Sequence, residues 1–121
     1  LAHILLIDDE ALVRQGLSLT LTEAGHSVEC AADGEAGMRK LEARLPDIVI
    51  TDIVMPDQEG IETIIAIRKA NPNLPIIAIS GGSADFLHAA SALGATRILR
   101  KPFGGAALLA LIAECLGGPP A

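Results

Sequence analysis

The chain has 121 residues, half of them apolar, and a formal net charge of −6. That length supports one domain with a single core, and the apolar content excludes a disordered chain. The acidic balance argues against a nucleic-acid surface, which needs a basic patch, but leaves a metal cation open as a ligand. Phe86 and Phe103 are the only aromatic residues, so the core must come from Ile, Leu, Val and Ala.

In chain order, Ile4–Ile7 reads as the first strand. Glu10–Ala24 reads as a helix whose Leu12, Val13, Leu17 and Leu21 share a face, with Gly25 as its stop. Val28–Ala31 is a short second strand. Asp33 is the expected N-cap of a helix running to Leu45 and ended by Pro46. The third strand is Ile48–Thr51. The third helix spans Ile61–Ala70, with Ile61, Ile64, Ile65 and Ile67 apolar. Ile76–Ile79 is the fourth strand, and a helix from near Ser83 to Gly94 follows. Thr96–Leu99 is the fifth strand, and the last helix runs from about Gly104 to Leu116. Five βα units in succession, three with near-continuous apolar strands, predict one doubly wound α/β domain over 1–121, with 117–121 as a tail. No internal repeat or linker divides it.

In such a sheet the functional crevice lies beyond the carboxyl ends of the strands. Asp8-Asp9 stand there after strand one, Asp52 after strand three, Ser80-Gly81-Gly82 after strand four and Lys101-Pro102 after strand five. Each has a plain reading alone: an Asp or Ser can cap a helix, an Asp can start a turn, and most lysines are solvated. Together they put three carboxylates at one point, and such a cluster repels itself unless a cation or proton intervenes. By ligand type this is a Mg²⁺ site.

The segments "LLIDDE", "DIVITDIVMPDQEG", "PIIAISG" and "LGATRILRKPF" occur in order across nearly the whole length. In them the chain resembles a response-regulator receiver domain of two-component signalling, related to chemotaxis receivers. The resemblance implies a flavodoxin-like five-stranded parallel sheet in the order 2-1-3-4-5, flanked by five helices. It implies that Asp52 accepts a phosphoryl group, that Asp9 binds Mg²⁺ directly and Asp8 partly through water, and that Val54 offers its backbone carbonyl. Lys101 and Ser80 would meet phosphoryl oxygens, and Gly81 would leave them accessible. The Lys101-Pro102 peptide is often cis in the family. The donor would be a sensor histidine kinase or phosphotransfer protein, and the domain would catalyse only its own phosphorylation and dephosphorylation. Asp52 is expected to be exposed at the rim of the sheet.

One position departs from the family: Ile98 stands where an aromatic residue usually swings inward with the hydroxyl, which predicts a weakened link between phosphorylation and surface change. Two other readings compete. A metal-dependent phosphohydrolase of similar topology would carry a second acid two residues after the nucleophile, and here that residue is Val54. A flavin- or nucleotide-binding module would need a phosphate-cradling loop, for which "SGGS" at 80–83 is weak, with only Phe86 to stack a ring.

Helix five is apolar nearly all round, with Glu114 its one charge. Two readings stand equally: a plain alanine-rich outer face, or a surface shared with helix four for a homodimer or another partner. Cys30 and Cys115 match no metal spacing and read as small buried residues in a reducing, cytoplasmic compartment. No run reaches transmembrane length and no signal-peptide pattern opens the chain, so no membrane contact is expected. Because it starts at Leu1 and not Met, it is expected to be cut from something longer or to lack its true start.

Overall fold

The computed structural model describes residues 1–53, 59–81 and 84–117, apart from the side chains of residues 59 and 84–87. Strands and helices alternate as β1 (His3–Ile7), α1 (Ala11–Glu23), β2 (Ser27–Ala31), α2 (Gly34–Ala43), β3 (Ile48–Asp52), α3 (Glu59–Ala70), β4 (Ile76–Ser80), α4 (Ala84–Leu93), β5 (Arg97–Arg100) and α5 (Gly105–Cys115). All strand pairs are parallel and the order is β2-β1-β3-β4-β5, as the resemblance implies. Val54, Gly82, Ser83 and residues 118–121 lie outside the described residues, as does the Phe86 side chain.

Side chains alternate across a strand, and both faces of β1, β3 and β4 are apolar, so each face buries its own cluster. Leu5, Ile7, Val49 and Ile76 pack under α2, α3 and α4 with Leu41, Ile64 and Ile67. Ile4, Leu6, Ile48 and Ile77 pack under α1 and α5 with Leu21, Leu108 and Ile112. The expected aliphatic core is thus two cores divided by one sheet.

Helix faces depart from the sequence reading in two places. Leu12 does not share the buried face of α1: it is 82% exposed, while Leu21 is fully buried. At about 100° per residue, nine positions bring Leu12 half a turn away from Leu21 and onto the outer side with Leu19. In α3, Ile64 and Ile67 are buried but Ile65 is turned to solvent. On α5 the long side chains face the sheet, and the outer side carries exposed Ala106, Ala107, Ala110 and Ala113. Asp33 caps α2 as expected, accepting from Ala36 N at 2.7 Å. Both cysteines are free and half-buried rather than fully buried.

Two close approaches fix how helices meet the sheet. A Cβ on Gly60, in the first turn of α3, would lie 2.4 Å from Ile53 Cα and 2.7 Å from Asp52 O. Glycine is needed there because α3 begins directly against the backbone that leaves β3. At the other end of α3, Arg68 donates to Gly94 O through Nε and Nη2 at 3.0 and 2.8 Å, and through Nη1 to Asn71 O and Pro72 O at 3.0 and 2.8 Å. Gly94 has φ +129°, and a Cβ there would press on Arg68 Cγ at 2.9 Å. The clip ties α3 to the turn that leads into β5.

Candidate functional site

The site forms where β1, β3, β4 and β5 end. Asp8 follows β1 and extends its ladder, its N–H donating to Ala31 O at 3.1 Å. Its side chain has no exposure. Oδ1 accepts from Glu10 N at 2.9 Å, closing the turn that starts α1. Glu10 is the N-cap of that helix by position but makes no side-chain capping bond. Asp9 and Glu10 are both exposed.

Asp52 corrects the sequence reading. It is the last residue of β3, paired in register with Ile79, and only 2% exposed, not a side chain at an open rim. The sheet runs one residue further than the apolar pattern because an Asp can occupy a strand end when its carboxylate has partners. Lys101 supplies one: its Nζ donates to Asp52 Oδ2 at 2.9 Å and to Asp8 Oδ2 at 3.3 Å. Lys101 is held by its own backbone, whose N–H donates to Ser80 O at 2.8 Å, and the Lys101-Pro102 peptide is cis. Ser80 is buried at the end of β4, beside this lysine's main chain. A Cβ on Gly81 would meet Lys101 Cβ at an ordinary 3.7 Å.

Charge at this point is unbalanced. Carboxylate oxygens of Asp8, Asp9, Glu10 and Asp52 lie within 4.8 Å of one another. Burial pushes the Asp8 carboxyl above its usual range; the Glu10 N–H opposes this, and the nearby Asp52 charge adds to it. Burial works against the Lys101 ammonium, but its bonds to Asp52 and then Asp8 outweigh that and hold it above the usual lysine range. One ammonium is shared by two buried acids and sits closer to Asp52, so Asp8 remains the strained partner.

Asp8, Asp9, Asp52 and Lys101 therefore converge, Ser80 stands beside the main chain of Lys101, and Val54 lies outside the described residues. Sequence reasoning misses Glu10, which reads there only as the first residue of a helix. The available signal was the run of three acids, Asp8-Asp9-Glu10, ahead of that helix. Ile98 lies in β5 opposite Ala78 and packs, half-buried, against the α2–α4 side of the core.

Residues 4–113 match the family profile of the response regulator receiver domain. The chain is 36% identical over 120 residues to the DNA-binding transcriptional regulator NtrC of Rhizobium meliloti (strain 1021), covering 98% of this chain and 25% of that protein. It is 33% identical over 103 residues to the virulence transcriptional regulatory protein PhoP of Salmonella typhimurium (strain 14028s / SGSC 2262), covering 84% and 46%. It spans about a quarter of the length of the first curated relatives it matches. Among solved structures it is similar to a response regulator receiver domain protein from Clostridium thermocellum, with TM-score 0.90 and 32% identity over 97% of this chain and 95% of that one. The chemotaxis protein CheY4 of Vibrio cholerae gives TM-score 0.88 and 34% identity over 96% and 99%. Neither the phosphohydrolase nor the flavin-binding reading survives a profile match over most of the chain together with the same backbone in solved receivers: the chain belongs to the response regulator receiver domain family, the phosphoacceptor modules of two-component signalling.

Proposed function

We propose that Asp52 is the phosphoacceptor of this receiver, with Asp8, Asp9, Asp52 and the Val54 carbonyl as the set that holds Mg²⁺, and Lys101 and Ser80 as the groups that meet the phosphoryl oxygens. The observation that carries this reading is the Lys101 ammonium, 2.9 Å from Asp52 Oδ2 and shared with Asp8. It lies in a pocket where four carboxylates approach within 4.8 Å. The donor set fits the metal: clustered oxygens with a surplus of negative charge suit a hard divalent cation. Bound there, Mg²⁺ would supply charge neutralisation at the phosphoryl oxygens.

In the reaction, a carboxylate oxygen of Asp52 attacks phosphorus in line. The new O–P bond forms as the P–N bond to a donor phosphohistidine breaks, and the electron pair stays on the imidazole nitrogen. Lys101 exchanges a carboxylate oxygen for a phosphoryl oxygen, and the Ser80 hydroxyl donates to another. Burial of Asp52 restricts the step to donors that reach into the pocket. Hydrolysis by water later returns the carboxylate and releases inorganic phosphate, and the chain catalyses nothing beyond these two self-directed reactions. The test is intact-mass measurement after treatment with acetyl phosphate and Mg²⁺. Wild type gains one phosphoryl group and Asp52→Asn gains none; equal incorporation in both overturns the assignment.

The whole of 1–121 acts as one receiver domain with 117–121 as its tail, working in the cytoplasm and receiving its phosphoryl group from a sensor histidine kinase or phosphotransfer protein. It touches neither nucleic acid nor membrane directly. Among the described residues no helix is long and apolar enough to cross a membrane. The exposed alanines of α5 support a homodimer through α4 and α5, which sedimentation with and without beryllofluoride tests: a monomer in both removes it.

A further inference from the structure

We propose that Arg14 is a positioning residue for the divalent-cation site, acting through the backbone of Asp8 to set the direction of Asp9; this rests on the cation site proposed above. Asp8 is held at four points. Its N–H goes to Ala31 O, Oδ1 takes Glu10 N, Oδ2 takes Lys101 Nζ, and its carbonyl oxygen takes Arg14 Nη1 at 2.7 Å. The last bond is outside the helical ladder, because Asp8 precedes α1 and the ladder opens with Arg14 N donating to Glu10 O at 3.0 Å. Arg14 therefore supplies a partner that secondary structure does not.

The Asp8 carbonyl and the Asp9 N–H belong to one rigid peptide plane. Fixing the carbonyl toward α1 fixes the plane from which the Asp9 side chain departs. Asp9 depends on this, since its carboxylate is exposed and no side-chain hydrogen bond secures it among the described residues. Asp8 and Asp52 have Lys101 to orient them, and Asp9 has only its backbone.

The choice of partner is informative. Arg14 makes no ion pair with any of the four clustered carboxylates among the described residues and donates instead to the neutral carbonyl of Asp8. A guanidinium placed for charge would take a carboxylate in a two-bond fork. This one leaves the acids to the cation. Arg14 is half-buried and lines a groove together with Ala11, Gln15, Ser18 and Cys30.

Charge and geometry predict opposite signs. If Arg14 mattered only as a positive charge, removing it would tighten binding of a cation. If it positions Asp9, removing it loosens binding. The experiment is calorimetric titration of Mg²⁺ into the whole chain, for wild type, Arg14→Met, Arg14→Lys and Asp9→Asn, with melts in EDTA alongside. The expected result is an affinity for Mg²⁺ about tenfold or more weaker in Arg14→Met, the scale of losing an outer partner of a metal ligand. Arg14→Lys, which keeps one donor of sufficient reach, stays close to wild type. Should Arg14→Met not fold, Arg14→Gln, too short to span to the carbonyl, carries the same expectation. Arg14→Met binding Mg²⁺ as tightly as wild type, or more tightly, overturns the proposal while Asp9→Asn still reports the site. A wild type that takes up no Mg²⁺ overturns the cation site and this inference with it.

Discussion

At the amino ends of the strands, charged groups are matched to main-chain atoms and to one another. Arg68 is spent on the carbonyls of Gly94, Asn71 and Pro72. Asp47 Oδ2 accepts from His3 N at 2.7 Å, and the His3 ring lies 3.1 Å from Glu29 and 3.3 Å from Ser27. At the carboxyl ends the same sheet gathers Asp8, Asp9, Glu10 and Asp52 around Lys101. One end spends its charge on holding the fold together. The other keeps negative charge in surplus, so its local stability depends on what binds. A scaffold whose charge is matched at one edge can carry a surplus of charge at the other, and that contrast separates architecture from function in this chain.

The largest expected break in the contrast is at Lys101. Lys101→Met leaves Asp8 and Asp52 buried without their shared cation, and losing one partner of a buried pair costs about 3 kcal/mol or more. Melts in EDTA should show that loss, and millimolar Mg²⁺ should restore much of it. A variant as stable as wild type in EDTA would mean the lysine does not neutralise this pocket.

Mg²⁺ itself should come next. At the proposed site it should bind the folded chain and not the dispersed acids of the unfolded one, and so stabilise by about 2.7 kcal/mol at a hundredfold excess over its dissociation constant, and roughly 1.4 kcal/mol at tenfold. Thermal melts across a Mg²⁺ series at constant ionic strength measure this. Asp52→Asn should shrink the effect and Ser80→Ala should leave it intact. A wild-type melting temperature that is flat across the series would show that the acids do not form a cation site.

Arg68→Met tests the opposite end. Four charge-assisted bonds to three carbonyls are lost, but the site is half-open and water replaces part of them, so about 2 kcal/mol is expected. The Mg²⁺ effect should be unchanged, because Arg68 sits at the amino edge. A reduced Mg²⁺ response in this variant would show that the two ends are coupled.

How much of this was legible in the sequence depends on the scale of the feature. Element order and sheet class follow from apolar runs broken by Gly and Pro, and boundaries shifted by only one or two residues, as for α3, which starts at Glu59 rather than Ile61. The convergence of Asp8, Asp52 and Lys101 was legible too, because a parallel sheet brings strand ends together. The burial of Asp52 was not: whether a strand ends at Thr51 or Asp52 depends on pairing with Ile79 and on Lys101 arriving from β5. The exposure of Leu12 needed helix phase rather than a count of apolar residues. The bond from Arg14 to Asp8 is invisible in the sequence for a related reason, since it crosses the β1–α1 turn, whose geometry is set by hydrogen bonds to one residue, Asp8, whereas the acidic run signals Glu10.

The smallest expected effect, and the one most specific to the surplus of charge, is at Asp8. Its carboxyl is raised above 3.8, burial being the main cause, with the Asp52 charge adding to it against the Glu10 N–H and Lys101. A carboxyl raised on folding contributes stability that is fully present below the unfolded value and is lost as pH climbs through the folded one. At neutral pH, then, burying the Asp8 carboxyl opposes folding when no cation is bound. Asp8→Asn keeps the shape and an oxygen for Glu10 N–H but removes the charge. In EDTA at pH 7 it should be more stable than wild type by about 1 kcal/mol, within the usual range for one substitution. As pH falls through the raised value toward 3.8, wild-type Asp8 takes up its proton and the advantage should disappear. With Mg²⁺ at neutral pH the order should reverse, because the variant has lost an acid of the cation site. Denaturant melts of both proteins at pH 7 and below pH 4, with EDTA and with Mg²⁺, separate these cases. An advantage for Asp8→Asn that persists undiminished in acid would trace to packing and not to charge, and the contrast between the two ends of the sheet would lose its electrostatic basis.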